Sequence, residues 1–307
     1  MHPKITHVAA LIAVHNRLAL TQRCLACLRE AAGEAVRLEI VIVDDGSTDG
    51  TGKWLAGQAD VTTLRGDGNL WFGGATDLGL RFLRERARCD HVLVLNNDTF
   101  LRAGSLARMI AESGAQCVVA CAFWTEDKSE LCTSGYVWMR WRGFVDASRE
   151  RSWPAAGSAA TGVLTVDAIS TTVVLIPLTL LLSAVLPNPH HHPHNRYDAM
   201  LSTQLRRAGA EFRCIAAILA DHDYGPPQSR PTVRMMCLGR FLHESFRDRR
   251  SIWHLGGGLA LAWESAPAVG EAGWALAKRL ARFFRQLAWV SLNSLRAQPR
   301  RAKAAVS

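Results

Sequence analysis

Val92-Leu93-Val94-Leu95-Asn96-Asn97-Asp98 is an apolar run that stops on three oxygen-bearing side chains. Four consecutive apolar residues without alternation predict a strand buried on both faces, as parallel sheets require. Open α/β sheets bind ligands outside the carboxyl ends of their strands, so the three polar residues stand at a candidate binding rim. Amide and carboxylate oxygens suit a hard divalent cation, which makes Asp98 a metal-ligand candidate. The competing reading is that Asn and Asp end strands merely by favouring turns. A second edge upstream, Ile40-Val41-Ile42-Val43-Asp44-Asp45-Gly46-Ser47-Thr48-Asp49, closes the same way.

Outward from these edges the first half alternates regularly. Strands are expected at residues 8–14, 38–43, 61–64, 92–95 and 117–122, with helices at 18–32, 51–58, 76–87 and 105–113. Strands alternating with helices of 8 to 15 residues imply βαβ units and a parallel sheet covered on both faces. Between them, Gly66-Asp67-Gly68-Asn69-Leu70-Trp71-Phe72-Gly73-Gly74-Ala75 is a glycine-rich loop opening a helix. Glycine lets backbone approach a ligand closely, and a helix amino terminus attracts phosphate. It matches neither a Walker loop nor the dinucleotide G-x-G-x-x-G, and a tight structural turn explains the glycines equally.

Residues 129–160 lack periodicity and are rich in aromatics, with Tyr136, Trp138, Trp141, Phe144 and Trp153. Such faces serve as platforms for sugar rings or, more commonly, as core and lid packing. Order resumes at 163–225, with a helix expected at 197–208 and a strand at 212–220 ending on Asp221-His222-Asp223. The apolar run 171–187 is interrupted by Pro177 and Ser183 and falls short of the roughly 20 residues that span a bilayer, so a buried strand followed by a core helix is expected.

At 307 residues the chain is long enough for one domain of about 200 to 250 residues and an appendage. The boundary is drawn at 225/226 from the charge. Residues 226–307 hold 14 Lys+Arg against 4 Asp+Glu, a net +10, while residues 1–225 hold 22 against 23. A basic tail on a near-neutral body points to an anionic membrane surface or a polyanion, or to a solvated basic face, and no nucleic-acid partner is expected. In 274–295 Leu276, Leu280, Phe283, Leu287 and Val290 recur at helical spacing while Lys278, Arg279, Arg282 and Arg285 fall elsewhere on the wheel, a pattern suiting an in-plane membrane helix or ordinary packing. No amino-terminal signal peptide is visible, so a cytoplasmic location is expected, peripheral on the inner membrane face if the tail binds lipid. Eight scattered cysteines, paired closely only at Cys24/Cys27 and Cys117/Cys121, are expected to be reduced core thiols on helix faces.

Taken together, Val14-His15-Asn16-Arg17, Val43-Asp44-Asp45-Gly46-Ser47-Thr48-Asp49-Gly50-Thr51, Gly68-Asn69-Leu70-Trp71-Phe72-Gly73-Gly74-Ala75 and Leu95-Asn96-Asn97-Asp98-Thr99 resemble the family-2 glycosyltransferases of the GT-A fold, in the family's order and with its gaps, across residues 7–115. The resemblance is nearest the bacterial branch acting on cell-surface polysaccharides, including rhamnosyltransferase-like members. It continues more thinly through Val166-Asp167, Asp198, Arg206 to Gly209 and His222. It implies a GT-A type α/β domain over 1–225 with a helical extension over 226–307, and an inverting enzyme moving a sugar from a dTDP- or UDP-linked donor to a glycan or lipid-linked acceptor.

The resemblance also implies roles. Asn16, Asp44, Asp45, Asn69, Gly73, Gly74, Asn96 and Asn97 would line the nucleotide-sugar. Asp98, the last acid of the family's D-x-D, would hold Mg²⁺ or Mn²⁺ with His222. Asp198 would be the catalytic base, its competing reading being a helix N-cap. Two departures stand out. Asn96 replaces the motif's first Asp, and Asp77 stands where relatives commonly carry Asn, where it would repel a diphosphate unless paired, for instance by Arg81 at i+4. These departures motivate an alternative, a non-catalytic relative binding glycan or membrane. A sugar nucleotidyltransferase would need a basic, glycine-rich loop after the first strand, which His15-Asn16-Arg17 is not.

Overall fold

The computed structural model describes residues 5–34, 36–86, 88–125, 127, 130–139, 143–149, 162–192, 194, 196–223, 238–247, 259, 273 and 276–291. Trp141, Trp153 and the side chains of Trp138 and Phe144 lie outside the described residues. The chain divides into two compact units, one of residues 1–189 and 197–224, the other of residues 190–196 and 225–307.

In the first unit the strands are β1 (Thr6–Val14), β2 (Val36–Asp44), β3 (Val61–Arg65), β4 (His91–Asn96), β5 (Thr99–Leu101), β6 (Cys117–Thr125), β7 (Leu131–Thr133), β8 (Gly135–Met139), β9 (Gly143–Asp146), β10 (Val163–Thr165), β11 (Ala168–Ile169), β12 (Val173–Pro177) and β13 (Glu211–His222). The helices are α1 (Leu18–Ala32), α2 (Thr51–Leu55), α3 (Trp71–Arg86), α4 (Ser105–Glu112), α5 (Leu178–Ser183) and α6 (Tyr197–Arg207). The main sheet runs β10-β13-β6-β12-β4-β1-β2-β3, with β5 on β13 and β7 on β6. β11, β8 and β9 form a small second sheet.

The unbroken apolar strands follow from coverage on both sides. Val8, Ala10, Ile12 and Val14 of β1 pack in one core with Leu25 and Leu28 of α1, whereas Ala9 and Leu11 pack in the other with Leu80 and Leu83 of α3. The same alternation divides Leu93 and Leu95 from Val92 and Val94 in β4. Truncating one such leucine to alanine costs about 2–5 kcal/mol. Gly79 lets α3 lie close to β1, because a Cβ there would run into the Leu11 side chain.

The sheet is mostly parallel, as the GT-A resemblance implies, with β3, β2, β1 and β4 in one block and β13 with β6; within it β12 runs antiparallel between β4 and β6. The reason is local: the chain re-enters the sheet at its rim, where Thr172 O accepts the Asn96 N–H, so β12 can only run back the other way. It ends at Pro177, whose missing N–H no longer matters at the strand's last residue, and α5 follows, as the apolar run predicted. The Cys117/Cys121 pair lies on strand β6, not on a helix, with both side chains in one core. Burial pushes the Cys121 thiol up to about 12, consistent with an inert core thiol.

The second unit, by itself, contains α7 (Leu238–Phe246) and a helix over residues 276–291. Phe241 stacks on Phe283 at 5.7 Å between ring centres, and Phe246 meets Phe283 edge-on at 5.6 Å.

Candidate active site

β1, β2 and β4 end at one rim, Val14 registering with Asp44 and Ala13 with Asn96. Past β1 the backbone takes two consecutive left-handed residues, Asn16 (φ 59°) and Arg17 (φ 64°). Such conformations are held by their surroundings. Asn16 N–H donates to Ser47 Oγ at 2.7 Å, and Asn16 Oδ1 accepts from Thr48 N–H at 2.8 Å. His15 Nδ1 lies 2.5 Å from Asp45 O. Asn16 thus ties the first strand end to the second, its side-chain oxygen already bonded to backbone.

At the β2 end Asp44 is buried and its Oδ1 accepts the Ser47 N–H at 3.0 Å. Asp45 is also buried, and both of its oxygens hold the glycine-rich loop: Oδ1 accepts from Gly68 N–H at 2.9 Å and Leu70 N–H at 3.2 Å, Oδ2 from Trp71 N–H at 2.8 Å. The glycines answer to this crossing. A Cβ on Gly46 would come within 2.9 Å of the Gly68 backbone, and one on Gly66 would strike Asp45 Oδ1. The loop delivers exposed Asn69 and Trp71, the latter left-handed at φ 58°, to the rim and starts α3 five residues before the expected point. Gly73 and Gly74 form its first turn, both buried.

The β4 end is different. Asn96 Oδ1 and Asp98 Oδ1 are buried without a hydrogen-bond partner. Asp98 Oδ2 accepts from Arg17 Nη1 at 2.7 Å, and Asp98 Oδ1 lies 3.5 Å from His222 Nδ1. Thr99 Oγ1 fixes that imidazole at 2.8 Å, a consequence of β5 pairing with β13 so that Thr99 faces His222. Burial lowers the His222 pKa against the pull of Asp98, which favours the neutral ring. Asn97, by contrast, turns inward and donates to Thr21 Oγ1 at 3.1 Å.

Asp198 is the second residue of α6, not its cap, and its Oδ1 accepts the Ala199 N–H at 2.9 Å. Desolvation raises its pKa. α6 is moored beside the rim by Ser202, whose Oγ bonds both the N–H and the O of Ile169, just before the 170–172 turn that reaches Asn96. On its other side the wholly buried Tyr197 donates to Asp77 Oδ1 at 3.4 Å. Asp77 is itself paired with Arg81 at 2.8 Å, so the acid that departs from the resembling family's pattern is neutralised within α3.

A family model described as glycosyl transferase family 2 matches residues 9–162, half of the chain. The chain belongs to that family. The match covers the rim ends of β1, β2 and β4 and the glycine-rich loop, while the 168–172 segment, β12, α6 and β13 lie beyond it. Among solved structures the family-2 chain is similar to GalNAc-T7 with UDP, GalNAc and Mn²⁺ (TM-score 0.58, 12% identity, covering 93% of this chain and 57% of that one). It is similar also to S. aureus TarS 1–349, alone (TM-score 0.53, 14% identity, 91% and 72% covered) and with UDP (TM-score 0.52, 13% identity, 91% and 72% covered). These likenesses show a shared GT-A-like fold, and the chain spans little more than half the length of the GalNAc-T7 chain. No curated protein matches by sequence.

GT-A enzymes commonly use a divalent cation, and the residues at the β4 end fit one. Two buried oxygens lack hydrogen-bond partners, both are hard donors, and the His222 imidazole stands beside one of them. Among the described residues no three His, Cys, Asp or Glu side chains cluster to hold a metal unaided. Sequence reasoning missed Arg17 and Thr99 as parts of this edge. Both fall within the motifs of the resemblance, but no local pattern shows that a left-handed turn brings the Arg17 guanidinium to Asp98.

Proposed function

We propose that this family-2 chain is an inverting, metal-dependent glycosyltransferase that moves a sugar from a nucleoside-diphosphate donor to a glycan or lipid-linked acceptor. The observation that carries the reading is the β4 edge, where Asn96 and Asp98 present unpartnered buried oxygens beside His222 at the carboxyl rim of the sheet. UDP in the TarS and GalNAc-T7 structures supports a nucleoside diphosphate here, and Mn²⁺ in the latter supports Mg²⁺ or Mn²⁺.

Asp44, buried at the β2 end, contacts the base or ribose, and Asn69, Trp71 and the first turn of α3 close on the diphosphate. Asp98, Asn96 and His222 would hold the cation, which neutralises charge developing on the departing nucleoside diphosphate. Asp198 takes the proton of the acceptor hydroxyl as that oxygen attacks the anomeric carbon, so the configuration inverts in one displacement. Its raised pKa makes it a stronger base than an ordinary carboxylate. Asp45 organises the loop instead of touching the donor.

We further propose a role in bacterial surface polysaccharide synthesis, supported by the resemblance of the rim motifs, at the cytoplasmic face of a membrane. On the helix of residues 276–291 the exposed Leu280 and Phe284, 61% accessible, share a face with Ala277, Ala281 and Ala288, and Lys278, Arg282 and Arg285 flank it. An apolar strip with a basic flank suits anionic lipid. Among the described residues no helix is long and apolar enough to cross a membrane.

The test is a panel of dTDP- and UDP-linked sugars with and without Mn²⁺. Release of nucleoside diphosphate that depends on the cation and on Asp98 supports the reading; UDP binding indifferent to Mn²⁺ overturns it in favour of a non-catalytic scaffold. For the tail, Phe284→Glu should abolish co-sedimentation with anionic vesicles, and unchanged sedimentation rejects membrane contact.

A further inference from the structure

Arg17 occupies the place where the cation is expected to act. Its Nη1 lies 2.7 Å from Asp98 Oδ2, and its side chain is half exposed while that of Asp98 is 14% exposed. The backbone beneath it is fixed: Arg17 O accepts from Thr21 N–H at 3.0 Å and from Thr21 Oγ1 at 3.1 Å, and the next N–H, of Leu18, bonds Asp49 Oδ2 at 2.9 Å. Only the long arm can move. Asn96 in place of an acid leaves Asp98 as the carboxylate of this edge, and the guanidinium cancels its charge. A divalent ion approaching this pair meets no net attraction until the arm leaves. A guanidinium fork is also well matched to phosphate oxygens.

We propose that Arg17 is a hand-over residue: it holds Asp98 when the donor is absent, then transfers its guanidinium to a phosphate oxygen of the nucleoside diphosphate, releasing Asp98 Oδ2 to the cation. Cation and nucleotide binding are thereby coupled, because each removes the obstacle to the other. The inference rests on the donor reading above and names a diphosphate-binding residue within it. It also explains how a site with one formal charge fewer than D-x-D confines the cation to the donor complex.

The test compares wild type, Arg17→Gln and Arg17→Lys in two titrations, with thermal melting as the folding control. In Mn²⁺ binding without nucleotide, followed by the paramagnetic signal of the free ion, Arg17→Gln should bind roughly fivefold tighter, as expected for release of a partly exposed ion pair. In calorimetry with UDP at saturating Mn²⁺, the same variant should bind roughly fivefold weaker, through loss of a phosphate contact of similar strength. Arg17→Lys should lie between wild type and Arg17→Gln in both. Shifts of the same sign in the two titrations, or no shift in either, overturn the hand-over. If wild type itself binds no UDP at any Mn²⁺ concentration, the donor reading fails and the hand-over with it, whereas UDP binding with same-sign shifts removes the hand-over alone.

Discussion

The two acid-bearing strand ends, Val43-Asp44-Asp45 and Leu95-Asn96-Asn97-Asp98, look alike in sequence and differ in what their oxygens do. At the β2 end the acids are bonded into the fold: Asp45 holds three backbone N–H groups of the 68–71 loop and Asp44 one of Ser47. At the β4 end two oxygens are buried without partners, and the carboxylate is balanced by an arginine reached across the rim. A satisfied buried carboxylate stabilises structure, while an unsatisfied one is costly and is retained where a ligand completes it. Asp45 and Asp98, the same residue type at two strand ends, thus divide into scaffold and site according to which donors the backbone brings.

Substitutions at the two ends should therefore fail differently. Asp98→Ala should lower transfer by about three orders of magnitude, the scale of losing a principal charge stabiliser, and should abolish Mn²⁺-linked nucleotide affinity while leaving the melting temperature nearly unchanged; unfolding of this variant would erase the distinction. Asp198→Asn, outside both ends, should lower kcat by about 10²- to 10³-fold through loss of the base. Because the folded state raises the Asp198 pKa, stability is lost as pH rises from the unfolded pKa through the folded one. The Asn variant should thus melt higher than wild type at neutral pH, and the gap should close in acid. Wild-type activity should likewise fall, on acidification, at a pH above that of an ordinary aspartate.

Asp45→Asn should show the reverse pattern from Asp98→Ala, a stability loss of about 3 kcal/mol from weakened charge-assisted bonds, read by denaturant melts, with activity following the fraction folded. If Asp45→Asn remains stable but inactive, Asp45 belongs to the site and the contrast breaks. Ser47→Ala is the mildest probe. It removes the acceptor for the Asn16 N–H and should cost about 1 kcal/mol, with a small rise in KM as the left-handed turn carrying Arg17 loosens.

What the sequence made legible follows from the range of the interactions. The β1, β2 and β4 strands and α1 show in their apolar patterning because both sheet faces are covered, and the Asp77–Arg81 pair shows because i, i+4 neighbours meet on a helix. β5 and the β8–β9 hairpin escaped, being three to five residues long and lacking clear alternation. The early start of α3 was hidden by Gly73 and Gly74, poor helix formers that are tolerated in its first turn because Asp45 anchors the loop before it. Arg17 on Asp98 was invisible, since 81 residues separate them and two left-handed residues set the geometry.

The reversed strand β12 has a consequence for how the protein comes off the ribosome. Residues 9–162 carry the family match, yet β12, at 173–177, is the strand that joins β4 to β6. Until Pro177 has emerged, the nascent chain must present two unfilled neighbouring edges, each a template for unwanted pairing with another chain. A shortened gene stopping at the end of the recognisable motif would leave both edges without β12 and should therefore yield inclusion bodies.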